Sequence, residues 1–67
     1  MKTKRTWRVV TRAGVDTGQT LQASLEWCVA ECARLFDTTV FEVAATEITP
    51  IERGYTVVVI AYCDTEE

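Results

Sequence analysis

The chain has 67 residues, of which 48% are apolar and 25% charged, and its formal charge is −3. A chain of this length encloses one core, so we predict a single α+β domain over residues 1–67. The composition excludes general disorder, and the lack of an apolar run of about 18 residues argues against a membrane-spanning helix. Three cysteines and no apolar leader segment do not suggest a secreted disulfide framework, so we expect a cytoplasmic protein.

Charge is distributed unevenly, with basic residues near the start of the chain and acidic residues at its end. Five of the seven basic side chains lie in the first twelve positions (Lys2, Lys4, Arg5, Arg8 and Arg12), and Asp64, Glu66 and Glu67 close the sequence. Either a phosphate-binding arm or two neighbouring strands of opposite charge produces this pattern. We favour neighbouring strands, because an acidic domain without a basic helix is a poor candidate for nucleic-acid binding.

The first two elements follow from periodicity. Residues 6–12 alternate and are rich in β-formers, which predicts a strand. After a loop with two glycines, apolar residues recur at steps of four and three, which predicts a helix over about residues 19–36. The apolar stripe of this helix consists of Leu21, Leu25, Cys28, Cys32 and Leu35, widened by Val29 and Phe36.

The second half of the chain predicts a hairpin. One strand runs from about residue 39 to residue 49 and is ended by Pro50, which cannot donate to a central ladder. A short turn leads to Gly54, which opens a last strand that extends to about Cys63. The element order β-α-β-β then allows a three-stranded antiparallel sheet of order 1-3-2 with the helix packed on one face.

The last strand, "GYTVVVIAYC", is apolar on both of its faces. As the central strand it would pack one face under the helix, which is too narrow to cover the other face as well. Val58, Ile60 and Tyr62 would then be exposed in a monomer, and contiguous apolar patches of this kind mark interfaces. We expect either a second subunit or a ligand to cover them.

Trp27 indicates an interface independently. It projects more than about 120° away from the centre of the helical stripe, in the company of Ala23, Ala30 and Arg34. An outward tryptophan beside two alanines resembles a contact hot spot. The alternative is a tryptophan that lies flat on the surface of its own protein.

No group of residues in the sequence matches a catalytic or metal-binding pattern. Cys28, Cys32 and Cys63 supply only three metal ligands where a structural zinc site needs four, and we expect them to pack as small apolar groups. The chain has no histidine, and Glu42 and Glu47, five residues apart on one strand, are expected to face opposite sides of the sheet. We therefore expect neither an enzyme nor a metal site.

Three segments of the sequence resemble the dodecin family: the helix "TLQASLEWCVAECARLF", the triplet "FEV" at residues 41–43, and "IERGYTVVVIAY" at residues 51–62. Dodecins are small β-α-β-β proteins that assemble as dodecameric shells and commonly bind flavins. The resemblance implies a homo-oligomer with flavin as a candidate cofactor between its subunits. The family's flavin-stacking Trp and flavin-contacting Gln correspond here to Val40 and Thr56, which leaves Phe41 or Trp27 as a different aromatic platform.

Two functions from different classes fit these observations. The first is a dodecin-like homo-oligomer that binds or stores a small molecule between its subunits, with Glu42 and the exposed strand face at the interface. The second is a small protein-binding module, such as a phage-type inhibitor or adaptor, that docks through the apolar sheet face and Trp27. The residues alone identify neither the ligand nor the protein partner.

Overall fold

A computed structural model of the protein describes residues 2–15 and 18–66. Its elements are β1 (Thr3–Val15), α1 (Gly18–Phe36), β2 (Glu42–Ile51) and β3 (Gly54–Glu66). The strands form one sheet in the order β1-β3-β2, and both pairs are antiparallel. The α+β fold predicted from the sequence, β-α-β-β with strand order 1-3-2, is confirmed.

β1 and β3 pair along their whole length, from Thr3 opposite Glu66 to Val15 opposite Gly54. Both strands are 13 residues long, whereas the sequence predicted seven residues for β1 and ten for β3. The full pairing places the basic start of the chain beside its acidic end. Neighbouring strands of opposite charge therefore explain the uneven charge distribution.

α1 buries its apolar stripe against the centre of the sheet. Cys28 and Cys32 are completely buried, and they pack with Val57, Val59 and Ala61 of β3. Val57 and Val59 are almost completely buried, and complete burial of a valine side chain contributes about 1.5–3 kcal/mol relative to an exposed one. Val10 of β1 completes the core, with Leu21, Leu25, Phe36 and Phe41 packed partly against it.

Two residues of the predicted stripe, Val29 and Leu35, are exposed instead of buried. Phe36 takes the position at the end of the stripe, where its ring lies 5.5 Å from that of Phe41. The contact with Phe41, in the connection to β2, covers Phe36 at the last turn of the helix.

α1 ends in a Schellman motif. The amide of Asp37 donates to the carbonyl of Arg34 at 3.3 Å, and the amide of Thr38 donates to that of Ala33 at 3.2 Å. Asp37 lies in the left-handed region with φ of 57°. Aspartate tolerates this conformation better than most residues do, which agrees with the helix end predicted at residue 36.

A β-bulge interrupts the pairing of β2 with β3. Val43 lies opposite Ala61 and Ala45 lies opposite Ile60, so Ala44 is the extra residue on β2. Beyond the bulge, the side chains of β2 point to the opposite face from the one that simple alternation predicts. The prediction that Glu42 and Glu47 face opposite sides is therefore wrong: they lie opposite Tyr62 and Val58, on the same face.

β2 also begins and ends later than the sequence predicts. It runs through Pro50 to Ile51, although Pro50 was expected to stop it. The expectation failed because β2 is an edge strand, where the missing N–H of proline leaves no ladder bond unmade. The strand starts at Glu42 rather than near residue 39, since residues 37–41 form the connection from α1.

The helix is narrower than the sheet. In the part of the chain that the structure describes, α1 packs on β1 and β3 and not on β2, all of whose residues are exposed. The accessible surface is 4884 Å², while a compact monomer of this mass exposes about 4,200 Å². The chain thus exposes roughly 600–700 Å² more than a compact monomer does, because both faces of the sheet are incompletely covered.

Candidate functional site

The face of the sheet opposite α1, here called the outer face, carries a continuous apolar surface. The pairing places Trp7 beside Tyr62 and Val9 beside Ile60, with Ala45 on the far side of Ile60. Trp7 is 49% exposed and Val9 is 61% exposed. Among the described residues, α1 packs on the other face of the sheet and not on this one.

Three of the residues singled out from the sequence lie at its centre. Val58, Ile60 and Tyr62 alternate along β3 with the buried side chains and are half-buried between their neighbours on β1 and β2. Glu42 lies opposite Tyr62 on β2 and adds a carboxylate at the margin of the same face. The structure therefore brings together four of the six predicted site residues.

Tyr62 is held between an aromatic ring and a cation. The centre of its ring lies 5.0 Å from that of Trp7, and the two planes are tilted by 53°. The guanidinium of Arg5 lies 4.0 Å from the ring centre of Tyr62, which is a cation–π distance. These two contacts restrict the orientation of the phenol ring.

Arg5 is in turn fixed by Asp64. Its Nε donates to Oδ1 at 2.8 Å, and its Nη2 donates to Oδ2 at 3.0 Å. The hydrogen bond from Arg5 lowers the pKa of the Asp64 carboxyl, and the same bond raises the pKa of Arg5. Both side chains are exposed, so the pair orients Tyr62 more than it stabilises the fold.

Phe41 lies at the edge of this region rather than on the outer face. It packs against Phe36 of the helix and, with Val40, forms one wall of a cleft of about 160 Å³. The other wall consists of Glu42, Tyr62 and Asp64. The cleft combines two aromatic rings with two carboxylates, and it connects Phe41 to the outer-face residues.

Trp27 lies apart from the other predicted site residues, on the helix side of the sheet. It is 42% exposed, and the guanidinium of Arg12 lies 4.6 Å from its ring centre. An arginine from β1 therefore covers part of the indole, in agreement with the alternative that Trp27 rests on its own protein. Trp27 and the outer face belong to two different surfaces.

A second apolar region was not predicted from the sequence. An open groove of about 500 Å³ lies between α1 and the connection to β2, and Glu26 and Thr39 are among the residues that line it. Its apolar lining consists of Leu25, Val29, Ala30, Ala33 and Phe41. The helical stripe suggested that Val29 would be buried, but it is 42% exposed because α1 does not reach across β2.

The three cysteines are packing residues of the core. All are free thiols and all are buried; Cys63 Sγ donates to the carbonyl of Val40 at 3.5 Å. Burial raises the pKa of Cys28 and of Cys32, so both thiols stay protonated near neutral pH. In residues 2–15 and 18–66, no three His, Cys, Asp or Glu side chains are grouped as metal ligands.

Trp7, Val9 and Ala45 are outer-face residues that the sequence did not single out. The alternation in β1 was a usable signal for the first two, because Trp7 and Val9 are two residues apart in a strand and therefore lie on the same face. Ala45 gave no such signal, since only the bulge brings it onto the outer face. The groove depends on which strands α1 lies over, and the periodicity of the helix alone does not predict this.

Comparisons of this chain with models of protein families, with curated proteins and with solved structures find no match. In the part of the chain described here, no helix has both the length and the apolar character needed to cross a membrane.

Proposed function

We propose that the protein is a non-enzymatic homo-oligomer that binds a small molecule between its subunits, as the resemblance to dodecins suggests. The observation that carries the proposal is the uncovered outer face, where Trp7, Val9, Ile60 and Tyr62 form one apolar surface. A surface of this kind is costly to expose to water, and a second copy of the chain covers it.

The exposed area supports self-association. The chain exposes roughly 600–700 Å² more than a compact monomer of its mass, as expected of a subunit that buries part of its surface in an assembly. Two sheets commonly pack face to face through their apolar sides, with the strand directions of the two sheets about 30° apart. Oligomerisation would thus complete a core that 67 residues cannot close alone.

The cleft beside Tyr62 is the proposed ligand site. At about 160 Å³ it is smaller than the ~300–1,000 Å³ of typical small-molecule pockets, so one subunit supplies only part of a site. Two clefts brought together across an interface reach that range. Phe41 and Tyr62 offer aromatic faces to a planar ligand, while Glu42 and Asp64 offer hydrogen-bond acceptors.

The ligand remains a class rather than a named compound. Planar, hydrogen-bond-donating heterocycles fit the aromatic and carboxylate groups of the cleft, and flavin is the first candidate because of the resemblance to dodecins. Val40 and Thr56 occupy the positions of the family's flavin-contacting Trp and Gln. We therefore expect any flavin to stack on Phe41 or Tyr62 instead.

Native mass spectrometry of freshly purified protein tests the proposal. We expect a closed oligomer, with additional mass from bound ligand that denaturing conditions release. Val9→Glu places a charge on the outer face and should reduce the number of subunits, whereas Ala23→Glu on the exposed helix surface should not. A monomeric wild-type protein at micromolar concentration contradicts self-association, and an oligomer that neither retains nor takes up any planar heterocycle contradicts the ligand.

The competing function is a protein-binding module that docks on another macromolecule. The exposure of Trp27 favours it, since an exposed indole is typical of contact hot spots. This function requires a monomer or dimer without ligand, together with loss of partner binding in Trp27→Ala. A purified partner that binds Trp27→Ala as tightly as the wild type would exclude a role for the indole.

A further inference from the structure

We propose that the free edge of β1 binds an extended acidic peptide segment of another protein, which adds to the sheet as a fourth strand. β1 is an edge strand, and in the described residues only β3 pairs with it. The backbone N–H and C=O groups on the other side of such a strand are a template for an added one. The edge is separate from the outer face, so this site is independent of the proposed homo-oligomer.

The two edges of the sheet differ in how well they accept a further strand. β2 carries the bulge at Ala44 and has Pro50 near its end, and both features hinder pairing at an edge. β1 pairs with β3 over 13 residues without a register shift, and it contains no proline. β1 therefore offers the longer and more regular edge.

The basic side chains on the helix-side face of β1 lack acidic partners. Alternation places Lys4, Arg8 and Arg12 on the same face of the strand as the buried Val10. The residues of β3 that lie opposite these three are uncharged. In residues 2–15 and 18–66, no ion pair involves any of the three. Their charge is thus available to a partner.

The spacing of these charges defines the peptide. Lys4, Arg8 and Arg12 follow one another at steps of four residues, which in a strand is about 13 Å. A strand paired with β1 places a carboxylate opposite each of them if its acidic residues recur at every fourth position, and such pairs are favourable. Arg8 donates to the carbonyl of Trp7 at 2.9 Å, but its guanidinium has further N–H groups for a carboxylate.

Trp27 supplies an apolar contact on this side of the helix. Val29 lines the groove at one flank of α1, whereas Trp27 is on the other flank and contacts Arg12 of β1. The indole keeps 42% of its surface exposed. Because an added strand lies about 4.8 Å beyond β1, an apolar peptide residue between two acidic ones packs beside the indole.

Neither a second copy of the chain nor a nucleic acid fits this edge as well. Two β1 edges paired with each other bring like charges together, and the β2 edge of another copy has the bulge and Pro50. A nucleic acid neutralises basic groups but has no peptide groups to continue the ladder. The net charge of −3 also disfavours it.

A synthetic peptide tests the proposed site. The probe has nine residues, with glutamate at positions one, five and nine, valine at positions three and seven, and threonine elsewhere, and both of its ends are blocked. In an NMR titration of the isotope-labelled protein, it should shift the amide signals of β1 more than those of β2. The affinity should fall as the salt concentration rises, because exposed charges are screened.

A charge swap identifies the contact at the centre of the peptide. Arg8→Glu should weaken binding about tenfold, because a repulsion replaces an attraction across the strand pair. A peptide with lysine at position five should restore binding to this variant. Arg53→Glu, in the exposed turn between β2 and β3, makes the same change in net charge and should bind the original peptide like the wild type. Circular dichroism reports whether each variant folds.

Three results would overturn the proposal. If the peptide does not bind, the basic residues only protect the edge against pairing. If peptides N-methylated at either set of alternate backbone amides bind as well as the unmodified one, the contact is not an added strand. If a single-stranded DNA oligonucleotide binds more tightly than the peptide, the partner is a nucleic acid. None of these results changes the native mass that decides the homo-oligomer.

Discussion

The side chain of Tyr62 on the outer face is held by contacts with two neighbouring residues. Its ring is packed against Trp7 and covered by the guanidinium of Arg5, which Asp64 holds through two hydrogen bonds. Both ends of the chain therefore contribute to the position of one aromatic side chain. The pair crosses from β1 to β3, so the geometry of the ring depends on the pairing of the terminal parts of these strands.

The pKa of Asp64 provides a test at this scale. The hydrogen bond from Arg5 holds this pKa below its ordinary value of 3.8, so the ion pair stabilises the fold above that pH. The stabilisation is lost as the pH falls through the lowered, folded-state pKa. We expect Arg5→Gln to raise the pKa of Asp64 towards its ordinary value, as measured by NMR titration of the carboxyl carbon.

Arg8→Gln is the matched control, because Arg8 lies on the other face of β1 and its side chain donates to the carbonyl of Trp7 at 2.9 Å. This control should leave the titration of Asp64 unchanged. A pKa of Asp64 that is the same in the wild type and in Arg5→Gln would show that the two side chains do not interact in solution.

At the scale of elements, the end of α1 carries an avoidable conformational cost. Asp37 adopts φ of 57°, a region that only glycine enters without a steric penalty from Cβ. It also places a negative charge near the C-terminus of the helix, where the helix dipole disfavours it. The two amide hydrogen bonds of the Schellman motif hold the residue there in spite of both effects.

Asp37→Gly should therefore stabilise the protein, by about 0.5–1 kcal/mol. The measurement is urea unfolding at a fixed protein concentration, in which the midpoint should rise while the slope stays constant. Asp37→Ala removes the same charge but keeps a Cβ, so it should be less stable than the glycine variant. Equal stability of the two variants would mean that the left-handed conformation is not what limits the helix end.

The secondary-structure elements and their order were predicted better from the sequence than the face of the sheet on which each side chain of β2 lies. The stripe through Cys28 and Cys32 located α1 to within one residue at each end, because helical periodicity is repeated over five turns. The hairpin and the doubly apolar β3 together determined the strand order. The bulge could not be read from the sequence, since Ala44 and Ala45 have the same side chain and the pattern does not show that Ala44 is the extra residue.

The groove was unpredictable for a different reason. A helical stripe specifies which side of α1 faces the sheet, but not which strands lie beneath it. Phe36 and Phe41 stack at 5.5 Å at the end of α1, where the chain turns towards β2, yet the helix axis stays over β1 and β3. The lateral position follows from packing across three elements, and no single periodicity contains that information.

At the scale of the whole molecule, the outer face and the groove beside α1 lie on opposite sides of the sheet. β3 carries the buried residues beneath both. The Cα positions extend 48 Å in one direction and only 16 and 13 Å in the others. So elongated a shape has much surface for its volume.

Thermal unfolding at several protein concentrations tests self-association without disturbing any contact. For an oligomer, a tenfold rise in concentration should raise the Tm by about 3–8 °C, because dissociation accompanies unfolding. The Val9→Glu variant, with a charge on the outer face, should have a Tm that depends less on concentration. A wild-type Tm that is independent of concentration would contradict the oligomer.

The order of the strands also constrains when the chain can fold. β1 and β2 pair only with β3, in the described residues, and β3 follows both of them along the chain. During synthesis from the N-terminus, neither strand has a partner in the sheet until β3 leaves the ribosome. The nascent chain must therefore keep two unpaired strands from aggregating, and the sheet assembles only once Gly54–Glu66 has been translated.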